Sequence, residues 1–251
     1  MRIEVIGIRG IPIVRKGDDL ALMILEAAQA QGTPIEEGDI LVVTHVVISK
    51  VEGRTVDLMK VEPSRIAENF AAFTDKDPRL VEVILRESRA VRRMRAGLLV
   101  TETMDGVVCA NSGVDRSNVS GGDIVALLPG DADVSAKRIK ERLHLLSGKD
   151  IAVIISDSHG RAFRMGATNV AIGLHGLKAI WDRRGERDLF NYELKVKEIA
   201  VADELASAAE LVIGQANEGI PVAIIRGYNY QKSTTSSAKD LVRPRELDAF
   251  I

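Results

Sequence analysis

The sequence predicts a mixed α/β fold, α+β in class, with its parts interleaved along the chain. Three observations predict it. Apolar β-branched runs such as Ile151 to Ile155 alternate with stretches of helical spacing. Asp and Gly stand at the joints, as capping and turn residues do. No linker divides the 251 residues into two clean halves, so any second domain is inserted or intertwined.

Met1 to Ile8 is β-branched and opens the chain as a strand, ended by Gly7 and Gly10-Ile11-Pro12. Gly17-Asp18-Asp19 is an N-cap region for a helix with Leu20, Met23, Ile24 and Ala27 at helical spacing and Gly32 beyond its end. Gly38-Asp39 leads into Ile40 to Ile48, a buried strand by its apolar run. Pro63 to Phe73 and Asp77 to Arg89 are helical, the second with Asp77 at its cap and Pro78 in its first turn. Leu98 to Thr103 and Gly106 to Ala110 form a hairpin about Met104-Asp105-Gly106. Gly122-Asp123-Ile124 repeats the Gly-Asp-Ile at 38–40 and is the same strand-entry turn, a match too short to argue a duplication.

Val134 to Leu146 is an amphipathic helix closed by Gly148, and Ile151 to Ile155 is a buried strand. Asp203 to Val212 is a helix with small residues on one face, and Ile220 to Ile225 a further strand. The stretch from Gln231 to Lys239 is Ser/Thr-rich and expected to be mobile, while Leu241 to Phe250 could dock. The expected division is residues 1–230 as the catalytic region and 231–251 as a tail.

Apolar residues make up 46% and charged residues 28%, which excludes a disordered chain, a collagen-like chain and a disulfide scaffold. Lys and Arg number 34 against 36 acids, so no basic excess points to nucleic acid. The lone Cys109 cannot form an intramolecular disulfide, the N-terminus lacks the apolar segment of a signal peptide, and no apolar run approaches a membrane span. A cytoplasmic protein with neither membrane nor nucleic acid as partner is expected. Only nine residues are aromatic (five Phe, three Tyr, one Trp), so the core rests on Val, Ile, Leu and Ala.

Four polar segments abut apolar strands, where a sheet fixes the backbone beneath a ligand. Ser156-Asp157-Ser158-His159-Gly160-Arg161 follows the strand at 151; a strand ending in Asp with a neighbouring hydroxyl suits Mg²⁺, and a plain turn is the alternative. Ser158 beside His159 also suggests a nucleophile, but adjacent residues of extended chain face opposite ways and the Gly-x-Ser-x-Gly elbow of serine hydrolases is absent. Asn111 to Asn118 follows the strand at 106, offering Asp115 as a second carboxylate and Asn118 as a polar contact, or only a self-capping loop. Thr44 to Arg54 places Lys50 at a strand end, as a phosphate ligand or a solvated lysine. Ile213 to Pro221 is a Gly-bounded loop whose N–H groups could meet phosphates, or a simple helix stop. Neither a P-loop nor a Rossmann fingerprint is present, no Cys/His spacing suggests zinc, and the four histidines are scattered, His144 on a helix surface.

These segments occur in one order: Gly10-Ile11-Pro12 with Gly17 to Ala21, Ser49 to Arg54, Gly113 to Asn118, Ser156 to Arg161, and Gly214-Gln215-Ala216 with Glu218 to Pro221. In that order the sequence, from Met1 to about Asn229, resembles the F420-0:gamma-glutamyl ligases, GTP-dependent enzymes of deazaflavin cofactor maturation. The resemblance implies an intertwined homodimer of two-domain protomers, unrelated to ATP-grasp or Mur ligases. It implies addition of L-glutamate to a lactyl phosphate deazaflavin through an acyl phosphate, then γ-linked extension. Carried onto this chain, Ile11, Pro12, Ile13, Val14, His45, Val46, Lys50 and Asn118 contact GTP, with the loop of Ile213, Gly214, Gln215, Ala216, Asn217, Glu218, Gly219 and Ile220. Asp115, Asp157, Ser158 and Gln215 hold the divalent ions, two Mg²⁺ or Mn²⁺, with a monovalent cation allowed beside them. Asp115, Asp157 and Lys50 are the implied catalytic residues.

Two departures from the family stand out. Small polar residues often occur where this chain has His45-Val46, and Thr-Asn where Ser158-His159 stands, which leaves His159 without a role. Both substrates are anionic, and Arg161, Arg164 and Lys178, with Arg183, Arg184 and Arg187 nearby, are the basic candidates for holding them. Alternatives are a ligase of the same type for another flavin- or pterin-like acceptor, and a non-catalytic cofactor or nucleotide binder. Asp115, Asp157 and Gln215 together disfavour the binder, which needs no complete metal set.

Overall fold

In the computed structural model, residues 2–248 are described; the expectations that touch Met1 and Phe250 lie outside them. The chain opens with β1 (Glu4–Ile8) and α1 (Leu20–Ala30), whose cap Asp19 accepts from the Leu22 N–H. Next come β2 (Ile40–Thr44), α2 (His45–Glu52), β3 (Thr55–Asp57), α3 (Arg65–Thr74) and α4 (Pro78–Arg86). A meander of β4 (Ser88–Arg95), β5 (Leu98–Thr103) and β6 (Val108–Ala110) precedes β7 (Ile124–Ala126), which pairs with β3. Then follow α5 (Ala132–Ser147), β8 (Ala152–Arg161), β9 (Arg164–Leu177), and the short pair β10 (Trp181–Asp182) and β11 (Glu198–Ile199). The remaining elements are α6 (Val201–Ile213), β12 (Val222–Arg226) and β13 (Lys232–Ser233).

The central sheet has six strands in the order β1, β12, β2, β8, β9, β13, with β2 and β8 its parallel pair and its other pairings antiparallel. Its two faces are read directly from alternation along the strands. Leu41, Val43, Val153, Ile155, Val222 and Ile224 pack with α1 and α5; Ile40, Val42, Ala152, Ile154, Ala223 and Ile225 pack with α6. Helices cover both faces, which is why the stretches 40–43, 152–155 and 222–225 are apolar at every position. A third cluster, with Leu58, Ala71, Ile84, Leu99 and Val125, is drawn entirely from the segment between α2 and α5. Both Gly-Asp-Ile stretches do enter strands, β2 and β7.

Several expectations are corrected. The run Ile40 to Ile48 is not one strand: it becomes helical at His45. Thr44 donates to the Pro221 carbonyl at 3.0 Å, and Pro221 has no N–H to return, so the ladder stops there. Val47, Ile48 and Val51 then pack at helical spacing against the first cluster. Lys50 therefore sits on a helix, not at a strand end. The helix at 77 ends at Arg86, and the arginine-rich β4 follows it. β8 does not stop at Ile155 but runs on through Asp157 to Arg161, paired with a long β9 that the sequence conceals. β9 bulges at Ile172, and at Gly173 a Cβ would lie 2.4 Å from Ala132, so α5 can approach only because that position is bare. The Ser/Thr-rich tail does not trail free: β13 pairs with the end of β9, Ser236 Oγ accepts the Ala179 N–H, and Ser237 donates to Asp133.

Candidate active site

The sheet register creates the site. In the parallel β2–β8 pair, Thr44 stands opposite Ser156. The next residues are His45, where β2 turns into α2, and Asp157, where β8 continues. Their side chains meet: His45 Nε2 lies 3.2 Å from Asp157 Oδ1. His159, two residues on and so on the same strand face, donates from Nε2 to Asp157 Oδ2 at 3.0 Å. The Asp157 side chain is only 11% exposed. Burial pushes its pKa up, but the two imidazoles outweigh burial and hold the carboxyl well below the usual range.

A cleft of about 330 Å³ opens beside this pair. Every residue assigned above to nucleotide or metal lines it: Ile11 to Val14, His45, Val46, Lys50, Asp115, Asn118, Asp157, Ser158 and the loop Ile213 to Ile220. Asp115 is fixed by mutual backbone hydrogen bonds with Ala126, and its two oxygens accept from the Ser117 N–H and Oγ, each at 2.7 Å. Asn111, Ser112 and Asn118 of the same segment take left-handed backbone angles, a departure that non-glycine residues sustain only when held in place. Ser112 supplies part of that hold, its hydroxyl bonded to those of Ser88 and Thr101 at 2.6 and 2.7 Å.

Lys50, in the last turn of α2, reaches across to the Asn118 carbonyl at 3.5 Å. Burial lowers its pKa, and it forms no ion pair among the described residues. An unpaired ammonium in a cleft is a seat for an anion. On the opposite side the loop after α6 turns at Gly214, whose φ of +73° suits glycine and whose absent Cβ would lie 2.3 Å from Glu218. That room lets the Glu218 carboxylate fold back onto the loop, where it accepts the Ala216 N–H at 2.8 Å. Backbone N–H bonds lower the Glu218 pKa, so this loop already holds an anionic group on its amides.

Among the residues sequence reasoning missed, Asn169 on β9 lines the cleft, buried, and accepts from Gln215 Nε2 at 3.4 Å. Its signal was faint: one amide in a strand whose glycines hide its periodicity. The structure does not bring the basic candidates Arg161, Arg164 and Lys178 to the cleft. Arg161 closes the β8–β9 turn by donating to the Met165 carbonyl at 2.8 Å, and Arg164 opens β9 on the same exposed turn. Lys178 lines a separate hollow with Trp181, Tyr228 and Tyr230. Arg183 and Arg184 are paired with Glu186 and Asp182 on the surface.

The donor set fits a hard divalent cation. Asp115, Asp157, Ser158 and Gln215 offer carboxylate, hydroxyl and amide oxygens with no thiolate. Among the described residues no three His, Cys, Asp or Glu side chains form a complete metal cage. Mg²⁺ is commonly held by one or two carboxylates together with substrate phosphates.

Residues 7–227 match the model of the family described as F420-0:Gamma-glutamyl ligase. The chain belongs to that family. It is 48% identical over 251 residues, 100% of this chain and 99% of the relative, to the coenzyme F420:L-glutamate ligase of Methanothermobacter thermautotrophicus. It is 47% identical to the protein of that name from Methanocaldococcus jannaschii, over 99% of this chain and 97% of the relative. A third, from Methanosarcina acetivorans, is 42% identical over 100% of this chain and 96% of its own. As a member of the F420-0:gamma-glutamyl ligase family the chain is an enzyme, a ligase that forms amide bonds. Among the described residues no helix is long and apolar enough to cross a membrane.

Proposed function

We propose that the protein joins L-glutamate to the carboxylate of a deazaflavin precursor of coenzyme F420, using GTP, and then extends the product through γ-linked glutamates. The observation that carries this reading is convergence: two carboxylates, an unpaired ammonium and an anion-holding loop line one cleft. An amide cannot form from a free carboxylate at neutral pH without activation. In the proposed chemistry an acceptor carboxylate oxygen attacks the γ-phosphorus of GTP, the bond to the β-phosphate oxygen breaks, and GDP leaves an acyl phosphate. The glutamate amine then attacks the acyl carbon, phosphate departs, and the nitrogen gives up a proton.

The chain's own groups supply the positioning. Lys50 places a compact charge on the phosphates and can follow their oxygens as charge shifts. The amides of the 214–219 loop hold a phosphate once Glu218 gives way. His45 and His159 keep Asp157 ionised and oriented, so His45 serves the carboxylate rather than the nucleotide. Mg²⁺ or Mn²⁺ on Asp115, Asp157, Ser158 and Gln215 would neutralise charge building on the transferred phosphoryl group.

Incubation with the deazaflavin acceptor, glutamate, Mn²⁺ and either GTP or ATP, read by mass, tests the reading. Glutamyl increments that require GTP and match the phosphate released are expected. Phosphate release without any increment, or binding without turnover, would overturn it.

A further inference from the structure

A second cavity, of about 360 Å³, shares the β8–β9 wall with the cleft. His159 lines it, while Asp157, to which His159 donates, lines the cleft. Ser158, between them, also lines the cleft. Another wall comes from the C-terminal tail, which lies beyond the family match and carries Lys239, Arg243 and Arg245 onto the cavity.

Charge accounting narrows what this cavity can take. Glu102, buried, is shared by Arg89 and Arg92, and Lys239 is paired with Asp105 at 2.8 Å. Asp131 caps α5 through the Val134 N–H, and Asp133 accepts the Leu174 and Ala238 N–H groups. Asp248 also lines the cavity and is not free, so three groups remain. Arg243 and Arg245 have no ion pair among the described residues, and Asp203 uses one oxygen on the Ala171 N–H at 2.9 Å, with no hydrogen bond to the other. Two unpaired guanidiniums and a half-satisfied carboxyl lining one cavity complement a molecule with two carboxylates and one ammonium.

We propose that this cavity seats the incoming amino acid as an α-amino dicarboxylate, its carboxylates on Arg243 and Arg245 and its ammonium toward Asp203. The inference rests on the ligase reading above and adds a substrate site to it. The arrangement directs the amine toward the wall it shares with the phosphate cleft and leaves the carboxylates on the tail. Those carboxylates could also come from the acceptor's own glutamyl end, so the test separates the two sources.

Arg243→Ala/Arg245→Ala and, separately, Asp203→Asn are assayed for KM toward glutamate, acceptor and GTP, and for use of L-glutamine in place of L-glutamate. Loss of charge-assisted contacts to a carboxylate is expected to raise the glutamate KM roughly ten- to hundredfold. The GTP KM stays within twofold, and the preference for glutamate over glutamine shrinks in the double arginine variant. Calorimetric titration of GTP confirms that the variants are folded and nucleotide-competent. An unchanged glutamate KM overturns the proposal, as does a rise confined to the acceptor KM, which would give the cavity to the acceptor instead. Absence of product from the wild-type protein would count against the ligase reading; normal wild-type product with an unmoved glutamate KM counts against this site alone.

Discussion

Asp157 is held ionised against the burial that disfavours its charge, because His45 and His159 contact its two oxygens. Asp157→Asn keeps the size and most of the hydrogen bonding but removes the charge a divalent ion needs. Glutamyl transfer should fall by orders of magnitude at limiting Mn²⁺, with the thermal melt little changed. Normal activity under those conditions would remove Asp157 from the metal set. The residue scale was partly legible in the sequence. Asp115, Asp157, Lys50 and Gln215 stood out as polar groups beside apolar runs, and all line the cleft. His159 was legible too, had period two been carried past Ile155: residues 157 and 159 of an extended strand share a face. Arg161 and Lys178 were drawn in by charge alone, and charge on a chain with this many surface ion pairs says little about place.

At the scale of elements, the start of α4 steadies the loop that carries Asp115. Asp77 caps the helix on the Arg79 N–H, binds the Arg79 side chain at 2.7 Å, and lies 3.5 Å from Arg116. Bonds from the Arg79 side chain outweigh burial and lower the Asp77 pKa to about 2. A depressed carboxylate contributes stability above its unfolded pKa, near 3.8, and loses it as pH falls through about 2. Asp77→Asn should therefore cost about 1 kcal/mol at pH 7, after allowance for solvent screening. The gap to wild type should close between pH 4 and 2 in denaturant unfolding; a gap constant across that range would contradict the assignment. The stretches 40–43, 152–155 and 222–225 of β2, β8 and β12, buried on both faces, were readable because apolar residues fill every position. α2 was not, since a β-branched run does not reveal where a neighbouring strand stops offering N–H groups. β4 hid behind its arginines and β9 behind its glycines and bulge.

For the whole molecule, the segment between α2 and α5 has its own apolar cluster, yet it supplies Asp115 and Asn118 to a cleft otherwise built on the sheet. Large apolar side chains remain uncovered at Met165, Leu189, Phe190 and Val196, each at least 87% exposed. Such exposure is consistent with the proposed homodimer, and light scattering at micromolar concentration should give twice the chain mass. An active, monodisperse monomer would rule the dimer out. The central claim is that the cleft uniting these parts holds the nucleotide phosphates, and Lys50, spanning from α2 to the Asn118 loop, is its unpaired cation. Calorimetric titration of GTP into Lys50→Ala tests that claim most directly. A desolvated charge-assisted contact is worth roughly 1.5–3 kcal/mol, so the Kd should rise about ten- to hundredfold; a Kd equal to that of the wild type would contradict the account.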